Sequence, residues 1–276
     1  MKQQQFESTL LLWYATHKRD LPWRHTTEPY KILVSEVMLQ QTQVSRVVEY
    51  YKRFLELFPT VEALAKALTS EIIQAWAGLG YNRRAVLLQK CAQAVVARGS
   101  FPKSPFELEQ LPAIGPYTAA AVASFSRNYP AVVVDTNVRR VFSRLFCGVE
   151  NADLKKVTNL AKEFLPQHNS REWNNAVMEF GALICNKTPQ CTSCPFAKHC
   201  PALLKGFPQG IKKKTQTTFE GSRRQARGKI LSLLREKSQT VTQLKKSIPR
   251  KDVQELLSGL EHDGLIVVEN KLVRLP

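Results

Sequence analysis

The chain has 276 residues, 43% of them hydrophobic, and its 40 Lys and Arg against 23 Asp and Glu give a formal net charge of +17. That length makes one large or two modest domains, each with its own core, and the excess of cations favours a polyanion, nucleic acid before acidic membrane. No apolar stretch is long enough to span a bilayer, and the opening MKQQQFESTLLLWYATHKRD lacks a signal-peptide cleavage site, so the expectation is an intracellular monomer (cytoplasm or nucleoid if prokaryotic) with no membrane partner.

Residues 6–205 read as helix after helix. KILVSEVMLQQTQVSRVVEYYKRFLELF repeats apolar residues at helical spacing through Leu33, Val37, Val44, Val47, Val48, Tyr51 and Leu55. Glu36 lies on that long helix, with Leu33 and Gln40 on its stripe. An acid there is costly if buried without a purpose; otherwise it is a solvated boundary residue. TVEALAKAL, SEIIQAWAGL, RRAVLLQKCAQAVVARG and SPFELEQL continue the pattern, with Thr60, Ser70 and Ser104 placed as N-caps.

LPAIGPYTAAAV, residues 111–122, reads as a helix, a tight turn and a second helix. Such a turn, with Ile114 and Gly115 in it, can aim successive backbone N–H groups at one phosphate; a plain helix–helix corner has the same pattern. In AVVVDTNVRRVFSRLF, Asp135 stands between a helix and an apolar run too short to found a sheet. Asp is a favoured N-cap, worth about 1 kcal/mol.

Four of the six cysteines, Cys185, Cys191, Cys194 and Cys200, follow with the spacing Cys-x5-Cys-x2-Cys-x5-Cys, while Cys91 and Cys147 sit in apolar surroundings and read as packing residues. A chain that nothing exports keeps its thiols reduced. Four thiolates on a short loop suit tetrahedral zinc or a 4Fe-4S cluster, and the spacing alone does not choose. GFPQGIKKKTQTTFEGS has no periodic apolar face and reads as a linker over 206–221. Residues 222–276 read as three short helices and two strands around a Glu-Asn-Lys turn, the order of a winged-helix module.

The LPxxG hairpin, an Asp shortly after it and the four-cysteine loop together resemble the helix-hairpin-helix DNA glycosylases with an iron–sulfur cluster. Within that superfamily, RDLPWR (Arg19–Arg24), SEVMLQQTQV (Ser35–Val44), GLGY (Gly78–Tyr81), GPYTAAAV and MEFGALIC (Met178–Cys185) are similar to adenine DNA glycosylases of the MutY type, over about residues 6–204. The resemblance implies a mostly α, two-lobed helix-hairpin-helix glycosylase fold over 1–205. Its hairpin would fall at about 108–125 and its iron–sulfur loop at 185–200. The winged-helix-like module then stands where the family has a β-rich C-terminal domain.

The resemblance also implies an activity: base excision repair of duplex DNA, hydrolysing the N-glycosidic bond of adenine mispaired with 8-oxoguanine or guanine and leaving an abasic site. One 4Fe-4S cluster would sit on Cys185, Cys191, Cys194 and Cys200. Glu36 becomes the acid that protonates adenine at N7, its pKa raised by burial. Asp135 becomes the carboxylate that stabilises the oxocarbenium-like sugar. Relatives with lyase activity carry a Schiff-base Lys at the position of Tyr117, so Tyr117 joins the catalytic set and the enzyme is monofunctional. Arg19, Leu21, Trp23 and Arg24 surround the flipped adenine, and Glu179 accepts from its amino group. Gln41, Thr42, Leu79 and Tyr81 face the duplex and its opposite strand, and Ile114 and Gly115 the backbone.

Two departures stand out. Five residues, where the family usually has six, separate the first two cluster cysteines, which makes a tighter loop. Ala113 stands where the hairpin usually has Gly, at a cost of about 1–2 kcal/mol if its φ is positive. Two other readings have their own discriminators. A thymine mismatch glycosylase shares hairpin, Asp and cluster, yet thymine offers Glu36 no N7 and Glu179 no amino group. A non-catalytic DNA-binding regulator with a redox cluster fits the tail and the charge, but has no use for the Glu36/Asp135 pair.

Overall fold

The structure is a computed structural model that describes residues 1–206 and 218–276; the linker expected over 206–221 lies mostly outside the described residues. The helices are α1 (Gln3–His17), α2 (Pro29–Leu39), α3 (Val44–Leu57), α4 (Val61–Lys66), α5 (Thr69–Ala75), α6 (Arg83–Arg98), α7 (Pro105–Leu108), α8 (Pro116–Arg127), α9 (Thr136–Cys147), α10 (Leu154–Phe164), α11 (Ser170–Leu183) and α12 (Pro201–Leu204). The C-terminal segment adds α13 (Arg223–Glu236), β1 (Gln239–Thr240), α14 (Val241–Ser247), α15 (Val253–His262), β2 (Val267–Glu269) and β3 (Leu272–Arg274). The mostly helical class expected from the sequence is observed.

Local chemistry explains several boundaries. The Thr60 hydroxyl caps α4 by accepting from the Ala63 N–H, and Ser104 caps α7 in a reciprocal box with Glu107. Ser70 is not a cap: α5 begins one residue earlier, after Leu68, whose N–H is satisfied by Glu71. The periodic run around Glu36 is two helices rather than one. It breaks between α2 and α3, where Gln41 takes φ 58°, a conformation no right-handed helix continues through. The apolar phase resumes beyond the break, which is why the sequence reads as continuous.

By contacts the chain forms two units. The first holds Met1–Glu36, Pro102–Gln110 and the chain from Ile114 through the cysteine loop; the second holds Val37–Phe101, Leu111–Ala113 and the C-terminal segment. The first unit's core joins α1 to α9, α10 and α11 around Phe6, which is fully buried. Its ring meets those of Phe142, Phe146, Phe164, Trp173 and Phe196, with centroids 5.1–6.4 Å away, the edge-on and tilted geometries aromatic quadrupoles prefer.

In the second unit α4 lies against α6. The C-terminal segment builds its core from Ala226, Ile230, Leu231, Leu234, Leu244, Leu256 and Leu260, together with Ile73 of α5 and Val86 of α6. Its three strands are antiparallel in the order β1-β3-β2, with Val273 paired to Gln239 on one side and Val268 on the other. No described helix is long and apolar enough to cross a membrane.

Candidate active site

Ile32, Leu33 and Val34 of α2 are buried, and the helical repeat carries Glu36 into the same interior, where it is 4% exposed. That burial disfavours the carboxylate and raises the Glu36 pKa to about 7; a hydrogen bond from the Tyr117 hydroxyl pulls it down, and the nearby Asp135 charge adds to the rise. Tyr117 is the second residue of α8. Burial, with the charges of Glu36 and Asp135, pushes its phenol well above the ordinary value, so it remains an O–H donor. Asp135 caps α9: Oδ1 accepts from the N–H groups of Asn137 (2.8 Å) and Val138 (2.7 Å), and Oδ2 from Asn137 Nδ2 (2.7 Å). Burial raises the Asp135 carboxyl, while these three donors and the Arg140 charge hold against the rise.

A second carboxylate, Glu179 of α11, is 1% exposed and its lone pairs are fully engaged. Oε1 accepts from Arg19 N and Nε at 2.8 Å each; Oε2 accepts from Arg19 Nη2 at 2.8 Å and Arg24 Nη2 at 2.7 Å. Burial works to raise this carboxyl, yet the two guanidinium groups outweigh it and hold the group down at about 2. Leu21 is buried beside this pair in the sequence and Trp23 half-buried in a short 3-10 turn, Pro22–Arg24.

The cysteine loop leaves the end of α11. Cys185, Cys194 and Cys200 pack against the first unit's core, with Phe196 inserted into it. Burial and, to a smaller extent, the nearness of the other three thiols raise Cys194 to about 11. Arg144, buried on α9, donates to Cys185 Sγ at 3.6 Å and to the Asn186 carbonyl at 2.7 Å while gripping Glu150 with two bonds of 2.8 Å. Arg140 ties the loop to α9 and α11 through the carbonyls of Cys185 and Gly181, both at 2.6 Å, and Asn137 Oδ1 at 2.7 Å. Gly181 is required here: a Cβ would lie 2.7 Å from Asn137 Cβ. Among the described residues no three His, Cys, Asp or Glu side chains are grouped as a site for a single metal ion.

The hairpin runs from α7 to α8. Ile114 is buried; Gly115 is exposed and caps α8. Ala113 takes φ 61°, so the cost expected for a residue with a Cβ is incurred. Ala113→Gly is expected to raise stability by about 1 kcal/mol, strain relief less the entropy of the added freedom, read as a higher urea midpoint at unchanged m.

Gln41 and Tyr81 are exposed on turns of the second unit, both left-handed, at φ 58° and 48°. Thr42 is half-buried and Leu79 buried. Sequence reasoning missed the residue that organises both turns. Buried Arg84 donates to the carbonyls of Val37 (2.7 Å), Met38 (3.0 Å), Gln40 (2.6 Å) and Gly80 (3.0 Å), and to Thr42 Oγ1 (3.2 Å). A second arginine directly before the apolar run of RRAVLL was its only signal. Lys has one point of attachment where Arg has a fork. Arg84→Lys is therefore expected to leave carbonyls unpaired and to lose about 3 kcal/mol in denaturant unfolding.

The chain is similar to known proteins. The chain matches the HhH-GPD superfamily of base excision DNA repair proteins over residues 34–167. Over 239 residues it is 40% identical to the adenine DNA glycosylase of Mycolicibacterium smegmatis, an alignment covering 84% of this chain and 81% of that protein. The chain belongs to the adenine DNA glycosylases. The human adenine DNA glycosylase is 39% identical over 213 residues, 71% of this chain and 39% of the human one. Among solved structures, a thermostable thymine-DNA glycosylase superposes with a TM-score of 0.69 at 34% identity, covering 74% of this chain and 97% of that one. A non-covalent endonuclease III–DNA complex superposes at 0.64 and 25%, covering 75% and 98%. Family membership makes the chain a base excision repair enzyme that removes adenine from mismatches by hydrolysing its N-glycosidic bond.

Proposed function

We propose that this glycosylase acts on duplex DNA in which adenine faces 8-oxoguanine or guanine, with Glu36 as general acid and Asp135 as the charge beside the sugar. The observation that carries the reading is the Glu36 carboxyl, buried and raised to about 7 with the Tyr117 hydroxyl upon it. A carboxyl with that pKa is half protonated at neutral pH, the condition for donating to adenine N7 as the base leaves. The N–H donors around Asp135 favour its anion, which suits it to the developing oxocarbenium charge. Water then adds to the sugar. Tyr117 orients the Glu36 proton and, having no amine, forms no Schiff base; the enzyme is monofunctional.

Glu179 with Arg19 and Arg24 forms a charged wall for the flipped base, with Leu21 and Trp23 as its apolar neighbours. All four lone pairs of Glu179 are engaged, so adenine's amino group would displace an arginine N–H as it docks. Ile114 and Gly115 lie in the hairpin for backbone contact, and Gln41, Thr42, Leu79 and Tyr81 in the turns for the duplex.

The donor set of the loop, four cysteines between residues 185 and 200 with Arg144 on Cys185 Sγ, fits a 4Fe-4S cluster. Cys185, Cys191, Cys194 and Cys200 would hold it, and when bound it cross-links the loop without taking part in hydrolysis.

The test is single-turnover incubation with A·8-oxoG, A·G and T·G duplexes followed by alkali, alongside iron and sulfide analysis. Scission at adenine in the first two, with about four iron atoms per chain, is expected. Scission at thymine in T·G alone selects the thymine reading, and duplex binding without scission the regulator.

A further inference from the structure

On α13, Arg224, Gly228, Ser232 and Arg235 recur three or four residues apart and so share one face. That face forms one wall of a cleft of about 1210 Å³ whose other wall carries Gln41 and Tyr81. The cleft lies wholly within the second unit. Its walls are fixed to each other: the opposite face of α13, with Ala226, Ile230 and Leu234, is buried in the core shared with Ile73 and Val86. Asp263 adds a polar tie, bonding Arg227 of α13 and pairing with Arg83 of α6 at 3.3 Å.

The cleft's charge is one-sided. Among the described residues its lining includes seven Arg and Lys side chains and one carboxylate, Asp263, already paired with two of the arginines. Gly228 is the second observation. A glycine inside a helix costs about 1 kcal/mol relative to alanine, and no atom lies within 4 Å of where its Cβ would be. Packing therefore does not call for it. Its effect is to leave the α13 backbone bare between two arginines, where an extended ligand can approach closely.

We propose that this cleft receives the sugar–phosphate backbone of the strand opposite the excised adenine, with Arg224 and Arg235 on its phosphates. The proposal rests on the glycosylase reading, which brings Gln41 and Tyr81 to the duplex. A polyanion matches the lining, and the cleft continues from those two exposed side chains. Phosphate contacts set register without reading sequence, so the C-terminal segment holds the opposite base in place and adds salt-sensitive affinity.

The test is ethylation interference of each strand of an A·8-oxoG duplex, using the full chain, Arg224→Glu/Arg235→Glu, and Gly228→Leu, which fills the cleft without changing charge. Thermal unfolding checks that both variants fold. For the wild type, ethylation at phosphates of the opposite strand should block binding. In both variants those blocks should vanish while blocks around the adenine remain. In the double variant affinity should fall by at least about tenfold at low salt, and the slope of log K against log salt should flatten by about two, one phosphate per arginine. Unchanged opposite-strand blocks and an unchanged slope would overturn the cleft assignment, as would blocks lost only on the adenine strand. Adenine release from the same duplex separates the two readings. A wild type that binds but releases no adenine sinks the glycosylase reading, and release with an unaltered footprint in the variants sinks the cleft alone.

Discussion

Glu36→Gln is expected to slow adenine release by about 10²–10⁴-fold in single turnover, the usual reach of general acid catalysis, while mismatch affinity stays within a few-fold. The amide matches the carboxylic acid in shape, accepts the Tyr117 hydrogen bond, and has no proton to give N7. The same substitution should have an opposite effect on stability. Burial raises the Glu36 pKa from an ordinary 4.5 to about 7, so the folded state holds this proton more tightly than the unfolded one. The resulting stabilisation is complete below about 4.5 and is lost as pH rises through about 7, and above that the buried anion costs the fold about 3 kcal/mol relative to the unfolded chain. Gln carries no such charge. The variant should therefore match the wild type at pH 4 and exceed it by about 3 kcal/mol at pH 8, in denaturant titrations at the two pH values. Wild-type excision, with the acid required, should fall about tenfold per pH unit on the alkaline side of 7.

Asp135→Asn is the second large effect: a loss of at least about 10²-fold in single-turnover excision, as when a charge facing the developing transition state is removed. Asn caps helices nearly as well as Asp, so α9 should keep its start through Asn137 N and Val138 N. The bond from Asn137 Nδ2 would then face a second amide donor, and Arg140 holds Asn137 Oδ1, so the side chain cannot simply flip. A loss of about 1 kcal/mol in stability should accompany the catalytic defect. A variant that folds to within that margin and still excises at the wild-type rate would remove Asp135 from the chemistry.

Helical periodicity and capping chemistry made the fold class legible. The helical runs over residues 6–205 and the Thr60 and Ser104 caps are local patterns with local causes. Periodicity could not reveal the break at Gln41, because the apolar phase is the same on both sides of it. Nor could it reveal β1, two residues paired to β3 over a distance of more than thirty in the chain. The positive φ of Ala113 was readable only because the hairpin pattern has a known place for glycine. Arg84, Arg140 and Arg144 were opaque for a different reason. Their partners are mostly backbone carbonyls, which carry no mark in the sequence, and a buried arginine is spelled like an exposed one. The seat of α13 against Ile73 and Val86 was equally hidden, since its apolar face alone would serve an independent module.

The central claim, that Glu36 delivers a proton to adenine N7, is tested most directly by replacing that nitrogen with C–H. Single-turnover excision by the full chain would be compared for adenine and 7-deazaadenine, each opposite 8-oxoguanine, at pH 6.5 with protein in excess. The account predicts similar affinity for both duplexes, release of adenine, and no release of 7-deazaadenine above background. Release of the two bases at comparable rates would contradict it.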